Sequence, residues 1–233
     1  MLFILNIGNT NTQYALYDGR SMDIKTCPTA QFSADLLPKG IPVAAACVVP
    51  AVKEKLKGHD IFYLSADKCV GMDFSQVEAS AVGADRLANA VMLAYFSELP
   101  AVCIDCGTAI TFEVVDASRA FRGGAILPGR FMLRKGLHEF TAQLPLVEME
   151  DRLSENIGEN TREAIRFGVD RGAVGMIKEI LASIKAQPGF ENCSALLTGG
   201  DALFFTKNIS GLDFAGFDYT LRGIAKAWEL NNI

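Results

Sequence analysis

Two short stretches of this 233-residue chain carry the residue types that an anion site needs, and they resemble each other. Asn6-Ile-Gly8-Asn9-Thr10-Asn11-Thr12 follows the apolar Leu2 to Leu5, and 99 positions later Asp105-Cys-Gly107-Thr108-Ala109-Ile110-Thr111 follows Ala101 to Ile104. Both run on into β-rich residues, Tyr14 to Tyr17 and Phe112 to Val115, so each copy reads as strand, tight glycine-containing turn, strand. Such a turn offers backbone N–H groups and hydroxyls to an anion. Facing turns of this kind can grip the β- and γ-phosphates of a nucleotide from two sides. One Gly-Asn-Thr turn is more often just a turn; the duplication gives the phosphate reading its weight.

A third stretch, Gly83-Ala84-Asp85-Arg86, opens a run with helical spacing from Gly83 to Ser97, with Leu87, Val91, Met92 and Phe96 on one stripe and Pro100 closing it. A carboxylate within hydrogen-bond reach of an alcohol can orient it and take its proton. Asp85 at a helix start is equally explained by the helix dipole, with Arg86 as its ion-pair partner, and Arg86 can instead hold an anionic substrate. His59 and His138 lack the partners of a triad or metal site. Cys103 and Cys106 lie three apart in a strand pattern, on opposite faces, with no second Cys or His pair to complete a ligand set.

The elements that must position these residues alternate. Strands are expected at Val43 to Val49, Ile61 to Ser65 and Ser194 to Leu197, the last ending in Thr198-Gly199-Gly200. Helices are expected at Ala51 to Lys57, around Phe131 to Leu144, at Thr161 to Lys185 and at Tyr219 to Asn231. Residues 19–39 are polar and weakly periodic and yield only strand and loop fragments. The pattern predicts an α/β protein of two similar lobes, residues 1–98 and 99–233, with a ligand in the cleft between them. Half the residues are hydrophobic and a fifth charged, as in a globular enzyme. A net charge of −5 argues against nucleic acid as a partner. The apolar start lacks a basic leader and the stretch 41–52 is too short to span a bilayer, so neither a membrane segment nor export is expected. Six cysteines in apolar contexts then read as reduced thiols in a cytoplasmic protein.

The order and spacing of Asn6 to Thr12, Cys47-Val-Val-Pro50, Gly83 to Arg86, Asp105-Cys-Gly-Thr-Ala109, Gly123-Gly-Ala-Ile-Leu-Pro-Gly129, Leu144-Pro145, Gly158-Glu-Asn-Thr161 and Thr198-Gly-Gly200 resemble type III pantothenate kinases over about 200 residues. The resemblance implies an actin-like (ribonuclease H-like) fold of two lobes with mixed sheets and an interlobe cleft. It implies ATP-dependent phosphorylation of pantothenate to 4'-phosphopantothenate, the first step towards coenzyme A. ATP with Mg²⁺, a monovalent cation (K⁺ or NH₄⁺), and a homodimer with the pantothenate site near the subunit interface come with it. Carried over by position, Asp85 is the general base, and Gly83, Ala84, Asp85, Arg86 and Thr161 meet pantothenate. Asn6, Gly8, Asn9, Thr10, Asn11, Thr12 and Thr108 meet ATP, and Asp105 is the monovalent-cation ligand. Thr161 has a local alternative as a helix N-cap.

One position departs from the family pattern. Asn6 stands where the first motif normally begins with Asp, so an acceptor oxygen is kept but the charge that helps hold magnesium is lost. Weakened ATP use with an unchanged fold is the expectation, and a non-catalytic relative acting as a regulatory or accessory binding protein is the alternative. A sugar or acetate kinase of the same superfamily fits less well, given the short chain and the Gly-Ala-Asp-Arg motif.

Overall fold

The first sheet has strand order β3-β2-β1-β4-β5, built from β1 (Leu2–Ile7), β2 (Asn11–Tyr17), β3 (Met22–Pro28), β4 (Val43–Cys47) and β5 (Ile61–Tyr63). The second has the order β10-β9-β6-β7-β8, from β6 (Ala101–Cys106), β7 (Ala109–Val115), β8 (Ile126–Pro128), β9 (Ser194–Thr198) and β10 (Asp213–Phe214). Read from the other edge, the second order repeats the first, strand for strand. In each, the hairpin's first strand pairs on its other side, in parallel, with a strand that comes later in the chain: β4 on β1 and β9 on β6. The duplication seen at an offset of 99 is therefore a duplication of topology. These relations come from a computed structural model, which describes residues 1–232.

The helices are α1 (Pro50–Lys55), α2 (Ala84–Phe96), α3 (Arg130–Glu139), α4 (Thr161–Lys185), α5 (Ala202–Asn208) and α6 (Tyr219–Asn231). In the first sheet Leu2 and Ile4 of β1, with Ala44 and Ala46 of β4, pack with Leu87, Ala88 and Val91 of α2 and Leu221, Ile224 and Ala225 of α6. The alternate residues Phe3, Leu5, Ile7, Val43 and Ala45 pack with Phe32, Val52 and Leu56. Both faces of β1 are covered, which is why its sequence is a continuous apolar run rather than an alternation. A Cβ at Gly223 would collide with the Ala88 carbonyl, so glycine lets α6 close on α2 at backbone distance.

By contact the chain forms two compact units. The first comprises Met1–Leu99, Glu113–Gly123 and the chain from Phe217 onward; the second comprises Pro100–Phe112 and Gly124–Gly216. The C-terminal helix thus follows the second half in sequence but shares a core with the first.

Most expected elements are present, α4 and α6 with the expected bounds. The α3 helix stops at Glu139 instead of running to Leu144. Thr141 ends it: its hydroxyl donates to the Leu137 carbonyl (2.7 Å) and accepts from the Leu144 N–H (3.2 Å), turning the chain before Pro145. Phe96 is 64% exposed rather than part of the buried stripe of Leu87, Val91 and Met92, because it is the last residue of α2. Residues 19–39 contain β3 and two single 3₁₀ turns.

Candidate active site

The turn between β1 and β2 is closed by the Gly8 N–H donating to the Asn11 carbonyl (3.1 Å), and Asn9, Thr10 and Asn11 stand exposed on it. Thr29 buckles it from behind. Its hydroxyl donates to the Gly8 carbonyl (2.7 Å), its N–H donates to the Thr10 carbonyl (2.9 Å), and it shares a buried hydrogen bond with the Thr12 hydroxyl (3.0 Å). Thr12 is fully buried, so its hydroxyl shapes the turn from inside, while Asn9, Thr10 and Asn11 face solvent. Asn6 lies at the end of β1, half-buried, paired in register with Gln13 on one side and Ala46 on the other.

Asp85 belongs to the same unit and is tied to that strand end through Val48. The Val48 N–H donates to the Ile7 carbonyl (3.1 Å), and a Cβ on Gly83 would lie 3.5 Å from the Val48 side chain. The same Cβ would stand 2.7 Å from Asp85 Oδ1, so Gly83 leaves room for the carboxylate to fold back over the helix start. There Asp85 Oδ1 accepts from the Arg86 N–H (2.8 Å). Burial pushes the Asp85 carboxyl above its ordinary range, outweighing that backbone hydrogen bond and the Arg86 charge.

The Arg86 guanidinium is held elsewhere. Its Nε donates to Glu113 (2.9 Å), a fully buried carboxylate to which Asn89 also donates (3.4 Å), while Asn89 accepts from the Thr220 hydroxyl (2.8 Å). The ion pair expected between Asp85 and Arg86 is therefore an Arg86–Glu113 pair, leaving Asp85 with a backbone donor. Glu113 escaped the sequence reading; the available signal was a lone carboxylate inside the apolar strand Thr111 to Val115.

In the second unit the Gly107 N–H donates to the Ala109 carbonyl (3.0 Å), with Gly107 and Thr108 exposed. Backbone presses on this turn from two sides. A Cβ at Gly129 would run into the Gly107 and Thr108 carbonyls, and one at Gly199, whose φ is +94°, would run into Asp105 Oδ1 and the Cys106 carbonyl. The fold thus gathers Asp105, Gly107, Thr108, Gly129 and Gly199 into one cluster where only glycine fits. The half-buried Asp105 carboxylate, set among backbone carbonyls, is a hard-oxygen donor set of the kind that suits a hard cation. Asn6 supplies an amide oxygen without charge.

Thr161 is the first residue of α4, and the cap is its neighbour: Asn160 Oδ1 accepts from the Glu163 N–H (3.1 Å). The Thr161 hydroxyl is therefore not the N-cap. It lines a cavity of about 620 Å³ together with Leu133, Leu137, Leu144, Ile165 and Val169 of the α3–α4 face.

Beneath the second turn lies a buried charge cluster of Arg130, Arg134, Asp170 and Asp201 that sequence reading did not find, because its members are scattered over 71 positions. Burial alone would lower the Arg130 guanidinium; hydrogen bonds and charge from Asp201 and Asp170 outweigh it and hold it firmly protonated.

A family model described as type III pantothenate kinase matches residues 2–183. The chain is 33% identical over 239 residues to the type III pantothenate kinase of Akkermansia muciniphila, covering 98% of both chains. It is 32% identical over 258 residues to that of Caulobacter vibrioides, covering 100% of this chain and 98% of the relative. Among solved structures, a protein of Campylobacter jejuni described as a conserved Baf family transcriptional activator superposes with a TM-score of 0.70 at 22% identity, covering 99% of this chain and 98% of that one. One described as a 2-dehydro-3-deoxygalactonokinase of Sinorhizobium meliloti does so with a TM-score of 0.60 at 10% identity, covering 98% and 96%. At those identities the superpositions speak for the two-lobed α/β fold alone.

Proposed function

Since the chain belongs to the type III pantothenate kinase family and phosphorylates pantothenate with ATP in coenzyme A biosynthesis, we propose that Asp85 is the base that takes the proton of the pantothenate hydroxyl. The observation that carries this is the placement of its carboxylate: at the start of α2, folded over Gly83, held by a backbone N–H, and raised in pKa by burial. A base held closer to the working pH accepts a proton more readily in the transition state, and the remaining barrier falls by positioning and electrostatics.

By their positions in the family motifs, Gly83, Ala84, Arg86 and Thr161 are the substrate-side residues. Arg86, anchored at Nε by Glu113, offers a fixed cation to an anionic substrate. Asn6, Gly8, Asn9, Thr10 and Asn11 of the first turn and Thr108 of the second receive the nucleotide, with Thr12 shaping the first turn from within. When bound, Mg²⁺ neutralises phosphate charge, and Asp105 is the ligand for a monovalent cation, K⁺ or NH₄⁺. The functional unit is a homodimer in the cytoplasm. Support for the dimer comes from the exposed apolar side chains Phe131, Met132 and Phe140 on and just after α3, together with the apolar cavity between α3 and α4 that Thr161 lines. No helix among the described residues is long and apolar enough to cross a membrane.

The test is phosphopantothenate formation with pantothenate, ATP, Mg²⁺ and K⁺, run on this protein and on Asn6→Asp. Activity in both is expected, with the Asp variant saturating at lower Mg²⁺. Silence from both folded proteins would overturn the reading. Equal Mg²⁺ dependence would show that Asn6 has no part in holding the metal.

A further inference from the structure

The charge cluster beneath the second turn is organised around one side chain. Arg130 uses all three of its nitrogens: Nε donates to Asp201 Oδ2 (2.7 Å), Nη2 to Asp201 Oδ1 (2.6 Å), and Nη1 to Asp170 Oδ1 (2.9 Å) and the Glu150 carbonyl (3.0 Å). Its guanidinium carbon lies 3.4 Å from the Phe204 ring centre. The Asp201 contact is a parallel, two-point fork, the geometry in which an Arg–carboxylate pair fixes direction as well as distance. Arg130 is 1% exposed, whereas Asp201 retains 18% of its side-chain surface.

The backbone at each end of this fork is bonded to the same turn. Gly129, next to Arg130, donates its N–H to the Thr108 carbonyl (2.9 Å). The Asp201 N–H donates to the Cys106 carbonyl (2.9 Å). Thr108, Gly129, Arg130, Asp201 and Cys106 therefore form a closed ring of bonds that includes the exposed Gly107-Thr108 segment, and Gly199-Gly200 sits in the arm that ends at Asp201. Packing at Gly129 and Gly199 holds each arm at backbone contact with the turn. The fork ties the two arms to each other. A buried ion pair is a weak source of stability compared with apolar residues of the same volume, so its use here is better accounted for by what it holds in place.

We propose that Arg130 is a positioning residue for the nucleotide: through its two-point grip on Asp201 it locks the Gly107-Thr108 turn and the Gly199-Gly200 segment into one rigid phosphate-side surface. Arg134 shares Asp170 with Arg130 (2.8 Å) and donates weakly to the Arg130 carbonyl (3.4 Å), but it bonds to neither Asp201 nor the turn, and so it supports the cluster without joining the two arms. This rests on the reading that the second turn receives the nucleotide.

The experiment is calorimetric titration of folded protein with ADP and with a non-hydrolysable ATP analogue, together with the KM for ATP and for pantothenate. It uses Asp201→Asn, Arg130→Lys, Arg134→Met and Thr108→Val. Asp201→Asn keeps the shape but removes the charge and one acceptor, and leaves Arg130 paired with Asp170. The expected result is a nucleotide Kd and ATP KM raised about tenfold, the order of loss when a supporting partner of a binding group is removed, with pantothenate KM changed by less than about twofold. Arg130→Lys, which keeps charge but not the fork, gives the same pattern and decides the matter if Asp201→Asn does not fold. Arg134→Met lowers the melting temperature with unchanged nucleotide affinity. If Asp201→Asn and Arg130→Lys behave like Arg134→Met while Thr108→Val weakens nucleotide binding, the positioning role is wrong and the site reading stands. If Thr108→Val also leaves binding unchanged, the second turn is not the nucleotide's seat and both fall.

Discussion

The two hairpins share a strand order and a turn position, yet they are stiffened by opposite means. The first turn is buckled by neutral hydroxyls, Thr12 to Thr29 and Thr29 to the Gly8 carbonyl, and its leading polar residue is the uncharged Asn6. The second is braced by backbone pressed against backbone at Gly129 and Gly199 and by the Arg130–Asp201 fork, and its leading residue is the carboxylate Asp105. Duplication preserved the backbone path and let the side chains diverge. A carboxylate therefore heads the second turn and not the first, while the first unit carries Asp85 and the Arg86–Glu113 pair. The lesson is that a common fold does not impose a common brace: hydroxyls stiffen one turn, backbone contact and an ion pair the other.

The largest effect expected in the first unit, and the one that separates its base from its turn, is that of Asp85→Asn. Loss of the base should lower kcat by about 10²- to 10⁴-fold, with nucleotide affinity unchanged by calorimetry; a matching loss of nucleotide affinity would show that Asp85 helps to hold the nucleotide and is not the base alone. The pH profile carries a second signature. Asp85 must be ionised to accept the proton, and burial raises its pKa, so the acid limb of kcat/KM should lie above the range of an exposed aspartate and vanish in the Asn variant. The sign for stability is opposite to that of an ordinary ion-paired carboxylate. The folded state holds the proton more tightly than the unfolded chain, so stability falls as pH rises from the unfolded pKa through the raised folded one. At neutral pH the Asn variant should therefore melt at a higher temperature than the parent.

A smaller effect separates the two braces. Gly129→Ala forces a methyl into the Gly107 and Thr108 carbonyls, which are backbone atoms with little room to yield, and should cost about 1 to 3 kcal/mol in urea unfolding. Gly8→Ala meets only the Asn11 carbonyl at 3.1 Å and should cost less than half as much. Equal costs would mean that the second turn is no more tightly packed than the first.

Much of this arrangement was legible before any coordinates. The offset repeat at Asn6 and Asp105 foretold two equivalent hairpins because a glycine turn between apolar runs is a local signal, and α4 and α6 were readable because their apolar spacing is sustained over several turns. The short elements β8, β10 and α5 were not, since two to seven residues carry no period. Nor were the partners of the motif residues. That Arg86 pairs with Glu113 rather than Asp85, or that Arg130 reaches Asp201, depends on contacts between residues 27 and 71 positions apart, which neither composition nor spacing records. The capping of α4 by Asn160 rather than Thr161 turned on a one-residue boundary that only backbone geometry fixes.

The finest test concerns the neutral buckle. Thr29 donates its only hydroxyl proton to the Gly8 carbonyl, so in the buried pair it is Thr12 that donates and Thr29 that accepts. Thr12→Val then removes one hydrogen bond while Thr29 keeps its grip on the turn, a loss of about 0.5 to 1.5 kcal/mol. Thr29→Val removes both bonds at once, leaving the Thr12 hydroxyl buried without an acceptor and the Gly8 carbonyl without its side-chain donor, and should cost more. In the double variant the stranded Thr12 hydroxyl is gone, so the two losses should sum to more than the combined cost. Strict additivity, or equal single costs, would mean that the two hydroxyls act independently. The first turn would then owe its shape to the strand pairing of β1 and β2 rather than to Thr29.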